Sequence, residues 1–168
     1  MLSVKALTAA ALCLLSSAGL TLGQGQANAP TAPGLTFLYS LNCTLGTPLT
    51  VGGGPHGNRV VIPIVGGSFS GPRLSGKVLD LGADWGLVDR NGTFSADTRY
   101  QLQTDDGAHI FIRTSGPAQS DGRLHLRLVF ETGSAEYYWL NNIVAVGILS
   151  SGNGYVAIDA WQLESPKS

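Results

Sequence analysis

Carboxylates beside aromatic rings are the features of this chain best suited to act on an organic molecule. Asp105 precedes a second acid, Asp106, and Asp159 lies between two aromatic residues near the C-terminus. Because paired acids repel each other and a carboxyl between rings loses solvent, either group can have a raised pKa and transfer a proton near neutral pH. Arg99 supplies a cation that can orient an enolate or another anionic oxygen. Asp105, Asp159 and Arg99 are therefore the predicted catalytic residues.

Each of these three residues also has a purely structural explanation. Asp and Gly are the residues that a tight hairpin turn requires, so Asp105 also fits a turn. Asp159 on an outward face is a solvated charge. Arg99 shares its strand face with Gln101 and Gln103, as a surface cation does. The sequence leaves both explanations open for each residue.

Aromatic side chains on the predicted strands are candidates for binding a ligand. Trp85 follows Asp84, and neighbours on a strand point to opposite faces, so an inward Trp85 forms a flat wall for an aromatic or polycyclic ligand. The run from Tyr137 to Asn141 holds an aromatic ring and an amide together on one face. Ordinary core packing explains the same residues. The predicted ligand-binding residues are Trp85, Tyr138, Trp139, Asn141 and Trp161.

The familiar signatures of metal and cofactor chemistry do not occur in the sequence. Its three histidines fall in no metal-ligand spacing. Nucleotide and flavin binding lack the glycine fingerprint and its βαβ context, and a serine hydrolase lacks its nucleophile elbow. The glycine-rich run 52–57 lacks the Lys-Ser/Thr pair of a phosphate loop. The sequence predicts no metal, no cofactor and a binding or acid–base function.

Composition favours one turn-rich β domain. The chain has 168 residues, 23 of them glycine, and 43% hydrophobic content is enough for one core. A net charge of -1 with 12% charged residues argues against a nucleic-acid-binding surface. The expected partner is a small molecule.

Short alternating apolar runs separated by turn residues predict nine or ten strands. Short connections make sequential neighbours pair antiparallel, and a meander of this length hides its edges best by closing. The prediction is an all-β, single antiparallel up-and-down β-barrel, with a two-sheet β-sandwich as the alternative. Residues 44–57 are predicted to form a loop, and Glu136 to Leu149 the longest strand.

The N-terminal residues read as a secretory signal. Met1 to Lys5 is positively charged, Ala6 to Leu15 is apolar, and small residues allow cleavage between 18 and 27. The apolar run is short for a membrane span, and no second one follows. The predicted organisation is a signal and start of a flexible N-terminus over 1–27, a disordered linker over 28–34, a barrel over 35–163 and a polar tail over 164–168. The predicted location is secreted or in the secretory-pathway lumen, with no membrane span after cleavage.

Signal removal leaves Cys43 as the one cysteine, which excludes an intrachain disulfide. Its neighbours provide no positive charge to activate a thiol, so Cys43 is interpreted as a buried small hydrophobe. Asn91 and Asn42 begin glycosylation sequons, and Asn91 lies on a predicted turn.

Several motifs recur in the order and spacing of a known family. They are Arg59-Val-Val-Ile-Pro-Ile64, Gly66-Gly67-x-Phe69-x-Gly71-Pro72, Gly82-x-Asp84-Trp85, Thr104-Asp105-Asp106-Gly107-Ala108 and Tyr138-Trp139-Leu140-Asn141. The chain resembles the domain of unknown function 3237 family, also known as uncharacterised protein family 0311, from about Leu35 to Leu163. The resemblance implies a barrel with a central cavity and a tendency to form homo-oligomers. It also implies a fungal-type member that processes a small molecule, although the secretion signal and His109 depart from the usual pattern.

Together these observations lead to three hypotheses for function. The first is a secreted barrel that binds an aromatic or polycyclic secondary metabolite and catalyses a cofactor-free isomerisation, cyclisation or dehydration by proton transfer. The second is a non-catalytic carrier of a small molecule. The third is a secreted interaction protein, which predicts a filled interior and an exposed apolar patch.

Overall fold

A computed structural model describes residues 29–166 of the chain. The predicted signal and cleavage region, residues 1–27, lies outside the described residues. Residues 29–33 form no regular secondary structure, and the first strand begins at Gly34.

Nine strands and one short 3-10 helix make up most of this part of the chain. In order they are β1 (Gly34–Leu45), β2 (Leu49–Gly54), β3 (Gly57–Ser70), β4 (Ser75–Val88), β5 (Phe94–Thr104), β6 (His109–Pro117), β7 (Leu124–Glu131), the 3-10 helix (Tyr138–Asn142), β8 (Ala145–Ser151) and β9 (Tyr155–Glu164).

The strands form one closed antiparallel sheet. Their order is β1-β9-β8-β7-β6-β5-β4-β3-β2, and a further pairing between β1 and β3 closes the circle. β3 is long enough to have two partners on the same side: its first residues pair with β2, and residues 64–70 pair with β1. Eight strands therefore form the barrel, and β2 lies outside it. The predicted up-and-down barrel is confirmed, and the closing β1–β3 pairing excludes the sandwich.

Alternation along the strands divides the interior from the surface. In β7, Leu124, Leu126, Leu128 and Phe130 are buried while the residues between them are exposed. Part of the interior is filled by rings that pack edge to face, with the Tyr39 ring 5.8 Å from Phe69 and 6.3 Å from Phe130.

Two sequence predictions about local structure were wrong. Residues 44–57 are not a loop throughout, because they contain β2 and its hairpin turn into β3. The run 136–149 is not one strand, because the 3-10 helix occupies its first half and β8 begins only at Ala145. The Asn141 side chain accepts a hydrogen bond from the Thr132 N–H and donates one to the Thr132 carbonyl, both at 2.9 Å. These bonds, with Leu140 buried against the core, replace the strand pairing that the β-forming residues favour.

The Gly66-Gly67 pair lies where β3 pairs with the end of β1. Both residues have positive φ, 146° and 136°, a region that is essentially restricted to glycine. Gly67 faces Cys43, and a Cβ there would lie 2.0 Å from the Asn42 carbonyl oxygen. This close approach of the two backbones helps the barrel to close.

Candidate functional site

The barrel interior contains a cavity of about 170 Å³ at one end. All eight barrel strands contribute side chains to its lining, which is mostly apolar. Leu45, Ile62, Ile64, Leu149 and Ile158 are among them. An enclosed apolar space inside a barrel is a typical place for a small ligand.

A short polar row crosses this apolar lining. Asp84 on β4 pairs with Thr98 on β5, and Thr98 pairs with Thr114 on β6, so the three side chains lie side by side in the cavity wall. Of the described residues that line the cavity, Asp84 is the one carboxylic acid. The row gives the cavity one acid followed by two hydroxyl groups.

The carboxyl group of Asp84 has a raised pKa. Loss of solvent on burial is the main cause, and the nearby negative charge of Asp97 adds to it. Hydrogen bonds from the Asp97 N–H, at 2.9 Å, and from Thr98 partly offset the shift. The net result is a carboxyl that keeps its proton to a higher pH than an ordinary aspartic acid.

The phenol of Tyr100 also lines the cavity. Its side chain is 1% exposed, and its hydroxyl makes no hydrogen bond to any group in residues 29–166. Burial raises its pKa well above the ordinary value, and the nearby Tyr39 and Cys43 raise it further. Tyr100 therefore keeps its O–H and can donate a hydrogen bond.

The mouth of the cavity lies at the turn between β8 and β9. Ser151, Gly152 and Tyr155 line it there, and the Tyr155 side chain is about 41% exposed. A Cβ on Gly152 would lie 2.3 Å from the Tyr155 ring, so the glycine lets this ring pack against the turn. If a ligand is too large for the cavity, the remaining part of it extends into solvent beside Tyr155.

Cys43 lines the cavity and is buried, which confirms its interpretation as a small core residue. Burial raises the pKa of the thiol to about 12. At pH 8 only about one molecule in ten thousand then carries the reactive thiolate.

We expect Cys43 to resist alkylation in the native protein because it is both buried and protonated. Incubation with N-ethylmaleimide at pH 8, followed by peptide mass mapping, should leave Cys43 unmodified, whereas protein in guanidinium chloride should be labelled at once. Rapid labelling without denaturant would show that the thiol is accessible.

The three acid–base residues predicted from sequence lie on the outside of the barrel. Asp105 is in the turn after β5 and accepts a 2.5 Å hydrogen bond from Ser75 Oγ. Asp159 is exposed and accepts one of 2.5 Å from Ser40 Oγ. Arg99 lies 3.3 Å from Asp97, with its guanidinium 5.7 Å from the centre of the Trp85 ring. The structure does not bring these residues together, and their catalytic roles stay predictions.

The predicted ligand-binding aromatics also lie away from the cavity. Trp85 is on the outer face, and Trp161 packs edge to face against Phe37 at 6.2 Å. Tyr138, Trp139 and Asn141 belong to the 3-10 helix. This helix follows β7 at the barrel end opposite the mouth, where the Arg73 guanidinium lies 3.5 Å from the centre of the Trp139 ring. Their roles in ligand binding likewise stay predictions.

Sequence reasoning did not select Thr98, Tyr100 or Thr114, although a signal for them exists. Asp84 and Trp85 point to opposite faces, and the exposed Trp85 shows that Asp84 is the inward one. Pairing of β4 with β5 then places Thr98 beside it. Selecting these residues as cavity residues requires the register between neighbouring strands, and the sequence pattern of one strand does not contain that register.

Neither a metal centre nor a membrane-spanning helix is found within residues 29–166. No group of three His, Cys, Asp or Glu side chains in this range is arranged to hold a metal ion. No helix in this part of the chain is both long and apolar enough to cross a membrane.

These features define a small closed β-barrel with an internal, acid-bearing cavity. A family model described as "Protein of unknown function (DUF3237)" matches residues 33–126, and the chain belongs to this family.

Relatives with the same barrel include an enzyme. The hydroalkoxylation enzyme phnH of Penicillium herquei is 32% identical over 135 residues, which cover 80% of this chain and 87% of the relative. The crystal structure of an enzyme from Penicillium herquei superposes with a TM-score of 0.70 at 32% identity, over 81% of this chain and 98% of that one. A β-barrel-like protein of Acinetobacter baumannii gives a TM-score of 0.76 at 34% identity, over 82% and 99% of the two chains.

Proposed function

We propose that this protein is an enzyme that closes a ring in a small, largely apolar substrate by adding a hydroxyl group across a carbon–carbon double bond. The observation that carries the proposal is Asp84, an acid with a raised pKa in the wall of an apolar cavity. The similarity to a hydroalkoxylation enzyme supports the reaction type. Of the three reactions that the sequence suggests, isomerisation, cyclisation and dehydration, the proposed reaction is a cyclisation.

The reaction needs one acid that can also take a proton back. The Asp84 carboxyl donates its proton to one alkene carbon, which forms a C–H bond and leaves a cation on the other carbon. The substrate hydroxyl oxygen attacks that cation and forms the C–O bond. Its proton then passes to the Asp84 carboxylate, which restores the acid. The product is an isomer of the substrate, so the reaction balances without an oxidant or reductant.

The surroundings of Asp84 suit both halves of this cycle. The hydrogen bonds from the Asp97 N–H and Thr98 stabilise the carboxylate that exists between the two proton transfers. The apolar lining keeps water from capturing the cation. Thr114, next to Thr98, can orient the substrate hydroxyl.

The cavity volume limits the part of the substrate that reacts inside. An apolar protein cavity of about 150 Å³ accommodates benzene, so about 170 Å³ fits one ring or a branched alkenyl group. A polycyclic metabolite would insert its alkene-bearing end and leave the other rings beside Tyr155. Prenylated phenols have this shape.

Turnover of 2-prenylphenol in D₂O tests the proposal. Purified protein should convert it to 2,2-dimethylchroman with one deuterium on the carbon that Asp84 protonates, detected by mass spectrometry and NMR. A panel that also contains allyl- and geranyl-substituted phenols covers differences in substrate size. Failure to cyclise any member above the buffer rate would contradict the proposal.

A carrier barrel is the second candidate, because the same cavity also suits storage of an apolar molecule. A carrier would bind 2-prenylphenol and its saturated analogue 2-isopentylphenol alike and release both unchanged. The enzyme binds both and cyclises the first. The cavity favours the enzyme and the carrier over the secreted interaction protein, because the interaction-protein hypothesis predicts a filled interior.

Activity should fall as pH rises through the pKa of Asp84, because the resting enzyme must hold the proton. Since the folded-state pKa is raised, the folded state binds this proton more tightly than the unfolded state, and stability is also lost as pH rises through that value. A pH–rate profile with 2-prenylphenol should show the falling limb. A rate that increases with pH would instead identify Asp84 as a base.

Secretion also stays a proposal, supported by the N-terminal sequence. Asn91 lies on the exposed turn between β4 and β5, which leaves room for a glycan. Asn42 is exposed but lies within β1, paired on both sides.

When the full chain is expressed in a eukaryotic secretion host, we expect the medium to contain a product whose mass falls after amidase treatment. Asn91→Gln should abolish that shift and Asn42→Gln should not. Retention of the chain inside the cells would contradict secretion.

A further inference from the structure

Tyr100 is a residue of the cavity wall whose hydroxyl has no part in the ring-closing steps. This hydroxyl is buried and has no hydrogen-bond partner among the described residues. Leaving a buried hydroxyl without a partner costs free energy, because the group has lost its hydrogen bonds to water. A ligand that supplies a hydrogen-bond acceptor there recovers that cost.

The chemistry of the lining decides which acceptor fits. Tyr100 keeps its proton, so it donates. The described residues of the lining include no Lys, Arg or His, so a carboxylate or phosphate would enter without a countercharge. Asp84 would also repel such an anion when ionised. The acceptor must therefore be a neutral oxygen, and a carbonyl is the strongest such acceptor in apolar metabolites.

Strand register sets the order of Tyr100 and Asp84 along the barrel. Tyr100 pairs with Gly82, and Asp84 pairs with Thr98, so the two groups are one pleat apart along β4 and β5. Two residues along a strand span about 7 Å. Tyr100 is the deeper of the two, because the mouth lies towards the start of β5.

We propose that Tyr100 is a specificity-determining residue that donates a hydrogen bond to a neutral carbonyl oxygen of the substrate, so that the enzyme prefers aryl ketones or lactones whose carbonyl oxygen enters the cavity ahead of the alkene. The inference rests on the proposed function for its substrate, but the binding site it describes does not depend on turnover. Gly82 supports this arrangement, because a Cβ there would lie 2.9 Å from the Tyr100 Cβ. The glycine leaves space for the ring opposite it.

Binding of three small probes tests the inference without the natural substrate. Acetophenone and isopropylbenzene have nearly the same shape, and only the first has a carbonyl; benzoate adds a charge. Dissociation constants are measured by NMR titration of the wild-type protein and Tyr100→Phe. The ketone preference is the dissociation constant of isopropylbenzene divided by that of acetophenone. We expect this ratio to fall about fivefold in Tyr100→Phe, the equivalent of one net hydrogen bond, while the dissociation constant of isopropylbenzene stays unchanged. Benzoate should not bind to the cavity.

Tyr39→Phe is the matched control, because Tyr39 is an equally buried phenol with no hydroxyl partner but does not line the cavity. It should keep the full ketone preference. An infrared spectrum of ¹³C-labelled acetophenone bound to the wild type supplies a readout that needs no variant. The carbonyl band should lie at lower wavenumber than in hexane.

Three results would overturn the inference: an unchanged preference in Tyr100→Phe, a hexane-like carbonyl band, or a failure of the wild type to bind acetophenone. None of these would by itself remove the proton-transfer role of Asp84, which is tested by turnover. Conversely, a confirmed ketone site in a protein without turnover would identify a carrier for carbonyl compounds.

Discussion

Replacing Asp84 with asparagine is expected to reduce turnover of 2-prenylphenol by about a thousandfold, within the range usual for loss of a general acid. The amide has nearly the same shape and can still accept the hydrogen bond from the Asp97 N–H, so the barrel should fold. The amide has no acidic proton to give to the alkene. Affinity for the saturated analogue 2-isopentylphenol should stay within about twofold, because the change leaves the apolar lining intact.

Asp105→Asn and Asp159→Asn are the matched controls, since each removes a carboxylate from the outer surface. Both should keep wild-type turnover. Full activity of Asp84→Asn, with loss in either control, would instead support the acids predicted from sequence alone. Thermal melting of all three variants shows whether any loss arises from unfolding.

Alanine at Gly67 is expected to cause a loss of stability that is exceptionally large for the addition of one methyl group. The positive φ alone costs about 1–3 kcal/mol for a residue with a Cβ. The Cβ would also lie 2.0 Å from the Asn42 carbonyl, so β1 and β3 would have to separate where the barrel closes. We expect a total loss above about 4 kcal/mol, which belongs to the exceptional class of single substitutions.

Gly66→Ala isolates the conformational part of this effect. Gly66 has a similar φ, but a Cβ there would have no neighbour within 4 Å. Its midpoint of thermal unfolding should therefore lie roughly 5–10 °C above that of Gly67→Ala. Equal midpoints would mean that backbone strain, and not the close approach of β1, sets the cost.

The barrel was predictable because its signals are local. Alternation in β7 and the turn residues at 89–92 and 105–107 each depend on a few neighbouring residues, and the structure confirms them. The 3-10 helix was not predictable in this way. Tyr138 to Leu140 favour a strand, but the side-chain bonds of Asn141 to Thr132 override that preference.

The candidate site was harder to predict because it depends on which face of each strand turns inward. Charges that cluster in the sequence suggest acid–base chemistry, but such clusters are also typical of exposed turns like that of Asp105. Asp84 shares its strand with another acid, Asp80, and only its register with Thr98 and Thr114 shows that Asp84 lies inside.

The most direct test of a proton-transfer site in this cavity is the titration of Asp84 by carboxyl ¹³C NMR, with the signal assigned by its absence in Asp84→Asn. We predict a midpoint above that of ordinary aspartic acid, because burial in the cavity wall disfavours the carboxylate. We also predict a further rise when isopropylbenzene occupies the cavity and excludes solvent. A midpoint at or below about 3.9, unchanged by the ligand, would contradict the assignment of this cavity as a proton-transfer site.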